Sequence, residues 1–206
     1  MPAIHLTGDY NLTYVQIPKN AGTSIGHWIK EHAANSIISD WYNHPSPEHI
    51  HATHEKNFSF TVVRNPWDRT VSLYHFLKHF NPPHPEYKDT GDFKRWLYDL
   101  NGYGEFPSFD QWLNNASEFK LLPWIWWKVP TPQVTWANVD LFIKYENLET
   151  EFRSIQDIFK CYDPLPQQTV TRGIHWHHYH DFYTDDTRKL VASMYEEDID
   201  RWQYTF

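Results

Sequence analysis

The stretch YVQIPKNAGTSIGHW, residues 14–28, joins an apolar run to an amphipathic one through a short polar loop. The apolar run stops at Pro18, and apolar residues return after the loop at intervals of three and four positions. The first pattern is typical of a buried strand and the second of a helix. We therefore predict a strand over about 13–17, a loop, and a helix over about 23–34.

The polar loop has the composition of an anion site. Lys19 carries a positive charge, Gly22 lets the backbone approach a ligand, and hydroxyls follow at Thr23 and Ser24. The loop amides and the start of the helix supply N–H donors and the positive end of a dipole. The pattern is not the usual P-loop, because the lysine precedes the glycine. The alternative interpretation is an ordinary strand-to-helix turn with a solvated lysine.

A second candidate anion site lies in RNPWDRTVS, residues 64–72. Arg64 ends a predicted strand, and Ser72 lies two turns along the helix that follows. The guanidinium can bind a phosphate through two parallel N–H donors, and the hydroxyl can donate to the same group. Arg69 has the simpler interpretation of an ion pair with Asp68 or a neighbouring carboxylate. Two anion sites on adjacent strand ends suit a nucleotide that carries phosphates at two separate positions.

Two further apolar segments complete the predicted fold. Residues 58–64 form a buried strand that leads into a helix, and residues 139–145 form a strand before a helix capped at Asn147. A last helix starts near Thr184. Strands that alternate with helices predict an α/β protein with a mainly parallel central sheet and helices on both faces. Ligands of such sheets bind beyond the carboxyl ends of the strands.

Length and composition bound the class of protein. A chain of 206 residues fits a single domain over 1–206. The net charge of −8 argues against binding to nucleic acid or to anionic membranes. The single cysteine, Cys161, excludes an internal disulfide and favours a reducing compartment. With no apolar run of about 18 residues and no signal-peptide pattern, we expect a soluble, cytoplasmic protein.

Two motifs give the chain a resemblance to a known family. IPKNAGTS, residues 17–24, and VRNPWDRTVSLY, residues 63–74, resemble the two nucleotide signatures of sulfotransferases that use 3′-phosphoadenosine 5′-phosphosulfate (PAPS). HAT, residues 51–53, and the segments 139–152 and 183–204 resemble the carbohydrate-type branch, the sulfotransferase family 2-like branch. The resemblance implies a P-loop-NTPase-like sulfotransferase fold.

The resemblance also implies a donor site. The first motif resembles the loop for the 5′-phosphosulfate and the second the site for the 3′-phosphate, with a third segment closing over the nucleotide. The residues that it assigns to the nucleotide are Lys19, Asn20, Ala21, Gly22, Thr23, Ser24, Arg64, Ser72 and Arg172. An exposed loop charge is the alternative interpretation of Arg172.

The family chemistry needs two catalytic groups and no metal. An acceptor hydroxyl attacks the sulfur in line, and adenosine 3′,5′-bisphosphate leaves. The resemblance implies that Lys19 stabilises the charge that grows on the oxygen bridging sulfur and phosphorus. A histidine that titrates near neutral pH suits the role of base for the acceptor hydroxyl.

The base has to be chosen among 14 histidines. His51 is the first choice, because HAT lies where the carbohydrate-type branch often carries its base histidine. His54 is the second choice. A solvated loop residue is the simpler interpretation of any one of these histidines taken alone.

The stretch HWHHYH, residues 175–180, raises the question of a metal site. Pairs of these histidines could chelate a transition metal. No cysteine or acidic residue follows at a standard ligand spacing. The sequence therefore predicts no metal site.

Residues 81–135 form the least regular part of the chain, and we assign them to acceptor recognition by analogy with the fold. Within them, Trp124, Trp126 and Trp127 could form a stacking platform for sugar rings. Packing in the core is the alternative interpretation of these tryptophans.

Three classes of function remain open at this point. The first is a PAPS-dependent sulfotransferase that acts on a hydroxyl of a small molecule or a glycan. The second is a nucleotide-dependent kinase or other phosphotransferase, which would need Mg²⁺ and an acidic ligand after a strand, whereas Asp140 precedes its strand. The third is a non-catalytic nucleotide- or glycan-binding module on the same fold.

Overall fold

The computed structural model describes residues 3–6, 12–33, 36–39, 58–79, 106–118, 131–166 and 178–206. Five strands form one sheet. They are β1 (Ala3–Leu6), β2 (Leu12–Val15), β3 (Ser36–Ser39), β4 (Phe58–Val63) and β5 (Leu141–Lys144), in the order β3-β1-β2-β4-β5. β2, β4 and β5 are parallel, which confirms the parallel sheet for the three strands predicted from the sequence.

The antiparallel edge of the sheet was not predicted. β1 pairs antiparallel with β2 on one side and with β3 on the other. Both added strands have four residues, and the sequence analysis assigned neither segment to a strand. The sheet is therefore mixed.

Helices cover both faces of the sheet, as predicted. The helices are α1 (Gly22–His32), α2 (Pro66–His79), α3 (Phe109–Glu118), α4 (Leu148–Glu151), α5 (Arg153–Phe159), α6 (Asp185–Met194) and α7 (Glu196–Trp202). Among the described residues, none of the helices combines the length and the hydropathy needed to cross a bilayer.

Successive strand residues contribute to two separate cores, because side chains alternate between the faces of a strand. One core joins β2 and β4 to α1 and α5, and includes Leu12, Tyr14, Ile25, Trp28, Phe60, Val62 and Ile155. The other joins them to α2, α3, α6 and α7, and includes Val15, Val63, Val71, Trp112, Val191 and Trp202.

Two helices differ from the sequence-based expectation. The segment after β5 breaks at Phe152 into α4 and α5, and the final one breaks at Tyr195 into α6 and α7. Asn147 does not cap α4, because its side-chain amide donates to Glu151 Oε1 at 3.0 Å. Thr184 does cap α6, since its hydroxyl accepts from the backbone N–H of Thr187 at 3.2 Å.

Candidate anion-binding site

The two predicted anion sites lie side by side at one edge of the sheet. β2 and β4 are parallel neighbours, with Val15 opposite Thr61. The Lys19 loop follows β2 and Arg64 follows β4, so both leave the sheet at the carboxyl ends of adjacent strands. This is where an α/β sheet binds its ligands.

The first turn of α1 is open to an anion. Ala21 occupies the N-cap position with φ 59°, and alanine has no side-chain oxygen that could accept from the helix. The helical hydrogen bonds begin with Ile25 N–H donating to Ala21 O at 3.1 Å. Within the described part of the chain, the N–H groups of Gly22, Thr23 and Ser24 have no acceptor. These donors and the positive end of the helix dipole favour a bound anion.

The structure shows a packing contact at Gly22 that the sequence analysis did not predict. The left-handed positions in the loop are Lys19, with φ 70°, and Ala21. Gly22 has no positive φ, but a Cβ at this position would overlap the side chain of Gln16. A larger residue at position 22 would therefore force the Gln16 side chain to move.

The Lys19 amine contacts an aromatic ring and lies close enough to a second cation to feel its charge. Its Nζ lies 4.1 Å from the centre of the Phe76 ring. Burial and, to a lesser extent, the positive charge of Arg64 lower the pKa of Lys19 from 10.5 to about 7. An anion that binds beside this amine would favour its charged form.

The guanidinium of Arg64 is fixed from three sides. Its Nε donates to Asp68 Oδ2 at 2.7 Å, its Nη1 donates to Lys19 O at 2.9 Å, and its Cζ lies 4.0 Å from the centre of the Tyr145 ring. Arg64 is buried and carries five N–H donors. Two of them are used in these bonds, so the side chain keeps donors for an anion.

Arg69 has a different partner from the one expected. Asp68 pairs with Arg64, and Arg69 donates to two backbone carbonyls, Pro18 O at 3.1 Å and Thr131 O at 3.4 Å. The ion pair that the sequence suggested between Arg69 and Asp68 is therefore wrong. Arg69 instead supports the start of the Lys19 loop.

Ser72 lies on the face of α2 that meets the Lys19 loop. Arg69 and Phe76, three residues before it and four after it, contact Pro18 and Lys19 respectively. Residues at this spacing share one face of a helix. Ser72 is buried on this face.

Asn20 serves the scaffold through its side chain. Asn20 is fully buried, and its Nδ2 donates to Val62 O and to Gln133 Oε1, both at 2.7 Å. These bonds attach the loop to β4.

Gln133 connects the two loops to the C-terminal helix, and the sequence analysis missed it. Its Oε1 accepts from Asn20 Nδ2 at 2.7 Å and from Arg64 N at 3.0 Å, and its Nε2 donates to Arg64 O at 2.8 Å. Asp198 Oδ2 accepts from Gln133 N at 2.8 Å, and Asp198 Oδ1 accepts from Val134 N at 2.9 Å. Gln133 falls within residues 81–135, assigned to acceptor recognition, yet it supports the two loops of the candidate anion site.

Asp140 lies at the opposite end of the parallel strands from the Lys19 loop. It precedes β5, and its Oδ2 accepts from Ser59 N at 2.7 Å and from Ser59 Oγ at 2.9 Å. Ser59 is near the start of β4, so this carboxylate lies at the amino ends of the strands. It cannot hold a metal beside the Lys19 loop.

Several predicted site residues lie outside the described residues. These are the two candidate bases His51 and His54, the candidate nucleotide residue Arg172, the tryptophans Trp124, Trp126 and Trp127, and His175 and His177 of the histidine-rich stretch. Most of residues 81–135 lies outside them as well. The predictions made for these residues stay predictions.

Comparison with known proteins gives one match. The sulfotransferase family 2 model, described as "Sulfotransferase family", matches residues 2–205. No curated protein matches the chain, and no solved structure does. The family match covers nearly the whole chain and confirms the resemblance read from the two motifs.

Proposed function

Because this chain belongs to the sulfotransferase family, we propose that it transfers a sulfuryl group from PAPS to a hydroxyl acceptor of the carbohydrate class. One observation carries the proposal. The uncapped first turn of α1 presents three N–H donors beside Lys19, and Arg64 is hydrogen-bonded to the carbonyl of that lysine. Two cationic sites in contact suit a nucleotide with two separate phosphate groups.

The two sites take different ends of the donor. The N–H groups of Gly22, Thr23 and Ser24, together with the Lys19 ammonium, hold the 5′-phosphosulfate. The free N–H groups of Arg64 and the Ser72 hydroxyl hold the 3′-phosphate. Arg64 is suited to this task because its contacts with Asp68, Lys19 O and Tyr145 fix the plane of the guanidinium before the ligand arrives.

Lys19 is the group that acts on the leaving oxygen. The acceptor oxygen forms a bond to sulfur, and the bond between sulfur and the bridging oxygen breaks. The charge that develops on the bridging oxygen is stabilised by Lys19 and by the N–H groups of the first turn of α1. Lys19 is half-buried, a setting in which such a charge interaction is stronger than in bulk water.

The acceptor hydroxyl gives up a proton, and a histidine is the group to take it. His51 is the first candidate and His54 the second, from the position of HAT in the sequence. A neutral imidazole accepts the proton as the new oxygen–sulfur bond forms. Residues 81–135, apart from Gln133 and its neighbours, are the proposed contact with the acceptor.

Turnover and binding are tested separately. The protein is incubated with PAPS and a library of hydroxyl acceptors, and sulfated products are identified by mass spectrometry. Thermal shift with adenosine 3′,5′-bisphosphate, with and without EDTA, measures binding. We expect EDTA-insensitive stabilisation and sulfated product. Stabilisation only by ATP with Mg²⁺ indicates a phosphotransferase, and bisphosphate binding without any product indicates a non-catalytic module.

A further inference from the structure

Three side chains of types that commonly ligate metals meet at the C-terminal end of α1, away from the anion site. His32 is the last residue of α1, and Cys161 and Asp163 lie in the segment that follows α5. His32 Nδ1 lies 3.4 Å from Cys161 Sγ, and His32 Nε2 lies 3.7 Å from Asp163 Oδ2. One ligand atom from each residue lies within 4.8 Å of the other two.

The backbone under this cluster is held in place. Asp163 O accepts from Trp28 Nε1 and from Gln156 Nε2, both at 2.8 Å. Cys161 N donates to Gln156 O at 3.2 Å. The His32 ring packs against the Trp28 ring, with centres 4.6 Å apart. The imidazole and the segment that carries the thiol and the carboxylate are therefore positioned before any ion arrives.

We propose that His32, Cys161 and Asp163 bind a divalent ion of the zinc class, with solvent as the fourth ligand. Tetrahedral zinc with bonds of about 2.3 Å to sulfur and about 2.05 Å to nitrogen places these two atoms about 3.6 Å apart, close to the separation here. A thiolate, an imidazole and a single carboxylate favour zinc over magnesium or calcium, which prefer sites of oxygen ligands alone.

The exposure of the three side chains suits an ion that enters from solvent. The Asp163 side chain is 70% exposed, so its carboxylate can rotate onto an ion, whereas the His32 side chain is 16% exposed. Such an ion ties the end of α1 to the segment after α5. Because α1 has 11 residues, the ion lies about 15 Å from the anion-binding end of the helix. It therefore does not touch the nucleotide.

The test uses the full chain, freed of metal by a chelator and kept reduced, and titrated with Co²⁺ as a spectroscopic substitute for Zn²⁺. The chain has one cysteine, so a thiolate-to-cobalt charge-transfer band reports Cys161 alone, whatever the HWHHYH stretch binds. We expect this band to saturate at one Co²⁺ and Zn²⁺ to displace it. Zn²⁺ is also expected to raise the melting temperature of the wild type and not that of Cys161→Ser.

Variants distinguish an ion bound by all three side chains from an ion bound by the Cys161 thiol alone. His32→Gln and Asp163→Asn are each expected to weaken Co²⁺ binding by at least about tenfold, the lower end for losing a group that ligates or orients a metal ligand. His27→Ala, an exposed histidine on the same helix, is the matched control and leaves the band unchanged. Circular dichroism confirms that each variant is folded.

Two results overturn the proposal. One is the absence of a thiolate band in the folded wild type at saturating Co²⁺. The other is a band of unchanged affinity in both His32→Gln and Asp163→Asn, which means that the thiol binds alone. The affinity for adenosine 3′,5′-bisphosphate, measured in EDTA, is expected to be the same in all these variants. A failure here therefore leaves the proposed sulfotransferase site untouched.

Discussion

Arg64 donates its Nη1 to the backbone carbonyl of Lys19 at 2.9 Å, so the two candidate phosphate sites are parts of one hydrogen-bonded unit. The loop after β2 and the loop after β4 cannot shift independently while this bond persists. We therefore expect the spacing between the two candidate sites to be set before a ligand binds. Such preorganisation lowers the entropic cost of binding.

The first prediction concerns the 3′-phosphate. Arg64→Ala is expected to weaken binding of adenosine 3′,5′-bisphosphate by about 10–100-fold and Ser72→Ala by about fivefold. Hydrogen bonds from a charged group contribute about 1.5–3 kcal/mol, and neutral ones contribute about 1 kcal/mol. Isothermal titration calorimetry measures the affinity of each variant for the bisphosphate and for AMP. An equal loss for AMP in Arg64→Ala contradicts the assignment to the 3′-phosphate.

The second prediction separates Lys19 from His51. Lys19→Ala is expected to lower kcat strongly and also to weaken bisphosphate binding, because the amine contacts the donor. His51→Ala is expected to leave bisphosphate affinity unchanged and to lower kcat by ~10²–10⁴-fold, the usual range for a general base. His54→Ala is the control. Loss of turnover in His54→Ala alone makes His54 the base, and no effect in either variant removes both histidines from that role.

The third prediction is a pH dependence of nucleotide binding. The pKa of Lys19 is lowered to about 7 without a ligand, and a bound anion raises it, so binding above pH 7 takes up a proton. Affinity is therefore expected to fall as the pH rises above 7, by at most about tenfold per pH unit. Lys19→Arg keeps its charge and should remove this fall. The same fall in Lys19→Arg shows that another group titrates.

The fourth prediction tests the contact between Gly22 and Gln16. Gly22→Ala is expected to lower both the melting temperature and bisphosphate affinity, because the added Cβ overlaps the Gln16 side chain. Gln16→Ala in the same chain removes the overlap and should restore a large part of both. If the double variant is no better than Gly22→Ala, the glycine is needed for another reason, such as close approach of the ligand.

The fifth prediction concerns Gln133. Gln133→Ala is expected to lower the free energy of unfolding by about 2–6 kcal/mol, since two buried groups lose a partner at about 1–3 kcal/mol each. Thr135→Ala, at an exposed position of the same short turn, is the matched control and should change little. Denaturant unfolding measures both. Equal stability of the two variants shows that the network around Gln133 does not support the loops.

The sequence by itself determined the parallel strands, the helices that follow them and the placement of two cationic motifs at strand ends. These features depend on local periodicity and on short motifs, which a single chain displays directly. The helix that starts after the Lys19 loop and the capping of α6 by Thr184 belong to this class, because the residues responsible are close together in the chain.

Only the tertiary structure decided how the site is supported. Gln133 bonds to Asn20, 113 residues away, and to Arg64, 69 residues away, and no local pattern joins such distant positions. Asp68 pairs with Arg64 rather than Arg69, and Arg69 donates to the Pro18 carbonyl, 51 residues away in the chain. His32 and Cys161, 129 residues apart, meet because α1 and α5 pack against each other in one core.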